Sequence, residues 1–402
     1  MSTRRRHGWS PGLLLAALAV VTATLALFPV TAGARGRPKP PWSIGMICSC
    51  TGPTASSTSV AAPALQAWAD AVNAKGGING HKINLIEKDD AMNPGTSLAE
   101  VESMVSQHHV LAIFDNSDVD SAFESYVASK HIPVIGSYAD STAMYTNADF
   151  FPNGATINWE PQAFVYLAKR VHAKKVADLY CAEVAICKQA TEAGIPVFAK
   201  AGIKVAYTAA IGFAAPNYTA QCLAAKASGA RAMTVGDASA VVVKVAQDCA
   251  AQGYKPVQIS GDGTVSESWR TTSAMNGNFD VQPDIPFFVH STPATKTMYA
   301  DIRKYEPSLL TSPDFGEVVV EAWTSGLLFQ AAAVAAHLGN HATPAEVIKG
   351  LYALHHQTLG GMAPPLTFAR NRPTTGIGCN FVMGIKNGHW TLPIGLKTVC
   401  PK

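Results

Sequence analysis

The residues typed and spaced for chemistry fall into three groups. The first is eight cysteines: Cys48, Cys50, Cys181, Cys187, Cys222, Cys249, Cys379 and Cys400. Their spacings, C-x-C, C-x5-C, C-x26-C and C-x20-C, lack the paired C-x2-4-C of structural zinc sites. Local spacing pairs Cys181 with Cys187, Cys222 with Cys249 and Cys379 with Cys400, although eight cysteines allow 105 connectivities. Cys48 and Cys50 are left over. On a strand their side chains point the same way, but so short a bridge is strained, and this pair stays open.

The second group is acidic. Asp140 and Asp262 each follow a short apolar run and a small polar residue, and Tyr138 and Ala139 precede Asp140. Two such acids on facing surfaces would favour an amine or other cation through charge-assisted hydrogen bonds; each could instead cap a helix. The third group is two histidine pairs, His108-His109 and His355-His356. Adjacent residues on a helix point about 100° apart, so neither pair can hold one metal from a helix. Gly-x-Ser-x-Gly and the Walker A pattern are absent, which removes the serine-esterase elbow and ATP hydrolysis. Gly261-Asp262-Gly263 is too short for a dinucleotide fingerprint, and Gly376-Ile377-Gly378 runs into Cys379-Asn380 without a helix. These residues predict no catalytic group, no metal and no cofactor.

The elements that must position them alternate. Strands are expected at 42–47, 82–88, 110–114 and 132–135, with helices at 61–74, 96–107 and 120–130 between them. A second set follows: strands at 175–180, 203–208, 231–235, 256–260 and 286–290, and helices at 160–171, 188–201, 218–228, 238–252, 295–305, 316–338 and 343–354. A strand at 366–368 and a hairpin around Asn387-Gly388 close the chain. This βαβ rhythm implies two doubly wound parallel sheets, an α/β architecture. Trp68, Trp269 and Trp323 sit at helical spacing and are expected in the core. In such sheets ligands bind beyond the carboxyl ends of strands. That rule selects 49–54, 115–118, 136–140, 181–187, 236–237 and 261–263, all small, polar or Gly-bearing loops.

Charge supplies the compartment. The 402 residues hold 31 Lys+Arg against 28 Asp+Glu, a net +3, and only 15% are charged. Residues 1–34 carry Arg4, Arg5 and Arg6 and no acid, so without them the chain is neutral. They read as an export signal: a basic start, an 18-residue uncharged run from Leu13 to Val30, and Ala32-Gly33-Ala34 as a cleavage site. An uncleaved anchor is the alternative, since the run is near the lower limit for a membrane span. The product would be periplasmic, secreted or held at the cell surface, where disulfides persist. No clustered basic face marks a nucleic-acid partner. Val318–Leu338, interrupted by Glu321 and His337, reads as a buried amphipathic helix.

Several of these stretches resemble the substrate-binding proteins of ABC transporters in the branched-chain amino-acid family. They are Ile44-Gly45 with Thr51-Gly52-Pro53, then Ala71-Val72-Asn73-Ala74-Lys75-Gly76-Gly77-Ile78-Asn79-Gly80, Asp89-Asp90 with Pro94, 132–135, 151–158 and Gly261-Asp262-Gly263. The resemblance covers roughly 41–395. It implies the type I periplasmic-binding fold: two lobes, 41–155 plus 290–360 and 156–289 plus 361–402, joined by three hinge crossovers near 153–157, 287–291 and 359–365. Position by position, it implies ligand contacts at Ser117, Tyr138, Asp140 and Asp262, with Ala139 on the same loop. Ser57 takes the place of an aromatic wall residue, which would enlarge the pocket. The family's second-lobe tyrosine falls near Ala185, so that contact is missing.

The expected function is capture of a small molecule, an amino acid, an amine or a small aromatic or organic acid, and its delivery to ABC permease subunits by a monomer. A ligand-sensing domain in signalling is the alternative, and a secreted hydrolase a third reading.

Overall fold

The structure is a computed structural model, and it describes residues 39–136, 141–374 and 377–401. Residues 39–402 fall into one compact unit. The expected signal at 1–34 lies outside the described residues, as do Tyr138, Ala139 and Asp140.

Two sheets organise the chain. The first is β1 (Trp42–Cys48), β2 (Ile83–Asp89), β3 (Ile113–Asn116), β4 (Val134–Gly136) and β5 (Phe150–Pro152), in the order β2-β1-β3-β4-β5. Every pairing in it is parallel. The second is β6 (Lys175–Cys181), β7 (Lys204–Ile211), β8 (Ala232–Gly236), β9 (Val257–Ser260), β10 (Phe279–Gln282), β11 (Phe381–Lys386) and β12 (His389–Thr391), in the order β12-β11-β10-β9-β8-β6-β7. Its first five strands repeat the first sheet's order, and β11 and β12 add an antiparallel edge. A short β13 (Pro393–Leu396) follows. Strands inside a parallel sheet are covered on both faces and so read as near-continuous apolar runs. β1 obeys this, with Ile44, Met46 and Ile47 fully buried.

Helices cover the faces: α1 (Ala55–Thr58), α2 (Ala61–Ala74), α3 (Pro94–Ser106), α4 (Glu124–Lys130), α5 (Ala143–Thr146), α6 (Glu160–Arg170), α7 (Ala185–Lys200), α8 (Thr219–Ser228), α9 (Ser239–Ala251), α10 (Ser268–Thr271), α11 (Pro293–Tyr305), α12 (Glu317–Ala335) and α13 (Pro344–Tyr352). α11 and α12 leave the second sheet and pack on α2 of the first, and α13 packs on α12. The contact of α2 with α12 is close because Gly326 has no side chain; a Cβ there would stand 2.4 Å from the Trp68 ring. Trp68, Trp269 and Trp323 are buried, as expected.

Four sequence expectations need correction. No strand forms at 286–290, which is a turn; the strand is β10, earlier in the chain. Asp280 and Gln282 alternate with its apolar residues yet are themselves buried, so composition hid it. At 366–368 only an isolated bridge forms, between Gln357 and Leu366. The helix expected over 120–130 breaks into a 3-10 turn, Asp120–Ala122, and α4. α12 is not amphipathic: it is buried on nearly every face. The hairpin does form, with Asn387 and Gly388 both at positive φ between β11 and β12, as a two-residue turn of the favoured hand requires. All eight cysteines are paired, Cys48 with Cys50 among them, and the three pairs expected from spacing are present.

Candidate functional site

In each sheet the strand order reverses at its first strand, β1 or β6, and a crevice opens where neighbouring connections part to opposite faces. In the second sheet this point lies between the carboxyl ends of β6 and β8. A cavity of about 110 Å3 occupies it. α6 and α7 roof it with Phe164, Val184, Gly194 and Phe198, while Leu179 and Val235 form its floor. From the first sheet's side Thr54 and Asp118 reach its wall. An apolar cavity of about 150 Å3 accepts benzene, so this one suits a short alkyl chain or small ring.

Five acids stand among the polar groups around that apolar space, Asp118, Glu160, Asp178, Asp237 and Asp262, beside the hydroxyl-bearing Thr54, Tyr180, Thr191, Thr234 and Thr264. Among the described lining residues there is no Lys, Arg or His. Burial dominates their protonation, because taking a carboxylate out of water disfavours its charge. It pushes Asp118 up to about 6, against the hydrogen bond from the Thr54 hydroxyl, which favours the charged form. It pushes Asp237 up to about 8, opposed by the Ala238 N–H and reinforced by the charges of Glu183 and Asp118. Asp118 and Asp237 thus sense each other across the cavity from different sheets. At the far wall Glu160, buried, rises to about 8, chiefly by desolvation and then by Asp262. Glu160 accepts the Asp262 N–H at 2.6 Å, and the approach leaves no room for a side chain at Gly261.

Beneath this wall lies a second set of acids. Glu317 Oε1 accepts the N–H groups of Thr264 and Val265 at 2.6 and 3.0 Å. Asp280 accepts the Thr264 hydroxyl and Asp284 the Thr324 hydroxyl. The Asn153 amide donates to the Glu321 carbonyl and to Thr324, tying the end of the first sheet to α12. Burial raises Glu317, Glu321, Asp280 and Asp284 well above the usual carboxylate range.

Of the residues singled out in the sequence, the structure brings Asp262 to the cavity. Ser117 lies elsewhere: its hydroxyl donates to Asp90 at 2.5 Å and accepts the Val119 N–H. Ser57 is buried and accepts the Ser239 N–H at 3.0 Å; beside it Ser56 accepts that of Ala240 at 3.2 Å. The first N–H groups of α9 have no intrahelical partner, and no side chain of its own segment caps it. Hydroxyls from the other half of the molecule fill that role. Ala185 stands beside Val184 at the start of α7 and offers no hydroxyl. Sequence reasoning missed Asp118, Glu160 and Asp237 as site residues. Two of them were signalled, since Asp118 and Asp237 lie on loops already selected as strand ends.

A family model described as periplasmic binding protein matches residues 41–389. No curated protein matches the sequence. Among solved structures, a branched-chain amino acid ABC transporter protein from Thermus thermophilus with bound valine superposes with a TM-score of 0.80 at 14% identity, covering 90% of this chain and 97% of that one. A fatty acid ABC transporter substrate-binding protein from Thermomonospora curvata gives 0.78 at 18%, covering 90% and 93%. LivJ from Streptococcus pneumoniae in complex with isoleucine gives 0.72 at 16%, covering 90% and 100%. At these identities the likeness is one of fold.

Proposed function

The chain belongs to the periplasmic binding protein family, and from that premise we propose that it captures a small amine with an apolar body and delivers it to an ABC permease. Proteins of this family bind solutes outside the cytoplasm and do not transform them. The observation that carries the ligand class is the pairing of Asp118 and Asp237, from different halves, over an apolar cavity with no basic lining residue among those described. An ammonium between them satisfies both carboxylates, and charge-assisted hydrogen bonds are about twice as strong as neutral ones. A fatty acid or a free amino acid would bring its carboxylate against these acids.

Because ligand contacts come from both halves, binding favours the closed arrangement by differential affinity. The proposed lobes are 41–155 plus 290–360 and 156–289 plus 361–402, and residues 1–34 direct export of a monomer. Tyr138, Ala139 and Asp140, on the loop after β4, remain proposed contacts. Ser117 and Ser57 are assigned instead to holding the loop of Asp118 and the start of α9.

The test is calorimetric titration with matched sets: alkyl and aryl amines, the corresponding carboxylic acids, and amino acids. Amines should bind, with affinity rising with apolar size until the cavity is full. Binding of the acids with none of the amines would overturn the ligand class.

A further inference from the structure

The cavity accounts for the acids on its wall but not for Glu317 and Glu321, which converge from behind on Asp262 of that wall. Asp262, Glu317 and Glu321 each offer a carboxylate oxygen, and these oxygens lie within 4.8 Å of one another. Glu317 and Glu321 stand one turn apart at the start of α12, 2% and 1% exposed. Among the described residues, neither oxygen of Glu321 meets an N–H or O–H donor, and Glu317 Oε2 meets none. What Glu321 faces is another acid, Asp262. Asp280 and Asp284 are buried nearby, and among the described residues Asp284 Oδ1 meets no donor. Glu160, Asp280, Asp284, Glu317 and Glu321 enter no ion pair among the described residues. Buried carboxylates ordinarily have a cation or a full set of donors.

We propose that Asp262, Glu317 and Glu321 form a calcium site. An all-oxygen donor set selects a hard cation over zinc, which takes nitrogen and sulfur as well. Calcium–oxygen distances of about 2.3–2.6 Å place opposite ligands about 4.6–5.2 Å apart, whereas magnesium requires about 4.0–4.2 Å. Carboxylate oxygens lying within 4.8 Å of one another leave room for the longer bonds of calcium. Glu317 Oε1 is held by two backbone N–H groups, which orients Oε2 for the ion. Asp262 follows β9 of the second sheet, while α12 packs against the first, so the ion clamps the two halves at their junction. The sequence predicts no metal because these ligands share no contiguous motif.

The test takes the full chain, stripped with EDTA, and titrates it with CaCl2 by calorimetry and by thermal unfolding. One ion per chain is expected, with a thermal midpoint raised by a few degrees and magnesium at least tenfold weaker. Glu321→Gln should lower calcium affinity at least 100-fold while leaving the calcium-free midpoint equal to or above that of the parent, since a repelling carboxylate is gone. A merely structural role would lower that midpoint instead. If Glu321→Gln does not fold, Asp262→Asn carries the same expectation. Absence of heat and of any midpoint change in the parent up to about 10 mM calcium, magnesium or manganese overturns the site, as does an unchanged calcium response in the variants; the acids would then share protons among themselves. Calcium binding is read without amine, so this proposal and the ligand class can fail separately.

Discussion

Two acidic regions lie side by side in this protein, and their surroundings set them apart. The rim acids Asp118 and Asp237 border an apolar space, and each accepts from a protein donor: the Thr54 hydroxyl for one, the Ala238 N–H for the other, with Asp237 Oδ2 meeting no donor among the described residues. The acids at the foot of α12 border one another, and among the described residues Glu317 Oε2 and both oxygens of Glu321 meet no donor. Carboxylates spread around an apolar volume suit an organic cation with bulk. Carboxylates converging within ionic distance suit a point charge. Residue type is the same in both; spacing and the neighbouring donors make the difference.

The sharpest way to break this comparison is to remove each charge set and watch the other. Asp118→Asn with Asp237→Asn should weaken amine binding 100-fold or more, at about 1.5–3 kcal/mol for each charged hydrogen bond, and leave calcium binding unchanged. Calorimetry on the same sample reads both, and a calcium loss in this variant would merge the two sites into one. The reverse change, Glu321→Gln, should leave amine affinity within about threefold.

Proton linkage gives the next effect. In the ligand-free protein Asp118 and Asp237 are raised to about 6 and about 8. Between pH 4 and 8 the folded state therefore holds protons that the unfolded chain has released, and stability falls as pH rises through that window. An ammonium ligand requires the ionised forms, so its affinity should rise, about tenfold or more from pH 5.5 to 8. A flat or falling profile would mean that the ligand is not held by these two acids.

The smallest effect tests the closure itself. Ser56→Ala with Ser57→Ala removes the hydroxyls that cap α9 from the opposite half. At about 1 kcal/mol for a lost cap, amine affinity should drop several-fold, with a larger mean radius in solution scattering. An unchanged radius and affinity would show that these contacts do not hold the halves together.

Much of this was legible in the sequence because the period of a covered strand or helix is a local property. β1 and α2 were placed within a residue by their apolar spacing, and the strand-end rule picked the loops that carry Asp118 and Asp237. β10 was not legible, since Asp280 and Gln282 are polar residues buried by partners distant in the chain. The acids at the foot of α12 were hidden for the same reason: Asp262 meets Glu317 and Glu321 only after the second sheet has formed. Of the positions at which the family resemblance implies ligand contacts, Asp262 lines the cavity, while the hydroxyls of Ser117 and Ser57 bond to neighbours in this fold.

α12 has a consequence for how the chain leaves the cell. It is 19 residues long and apolar enough, by length and composition, to cross a bilayer. Were residues 1–34 to direct export as proposed, through a pore that takes unfolded chains, the passage would come before α2 and α13 can shelter that helix. During passage it is a segment that could partition sideways into lipid and halt. Glu317 and Glu321 sit at its leading end, and ionised carboxylates are costly in hydrocarbon. Replacing both with leucine should therefore strand product in the membrane, visible as a fall in the released protein. The same two side chains would then serve the protein twice, first as a barrier to lipid and later as ligands to an ion.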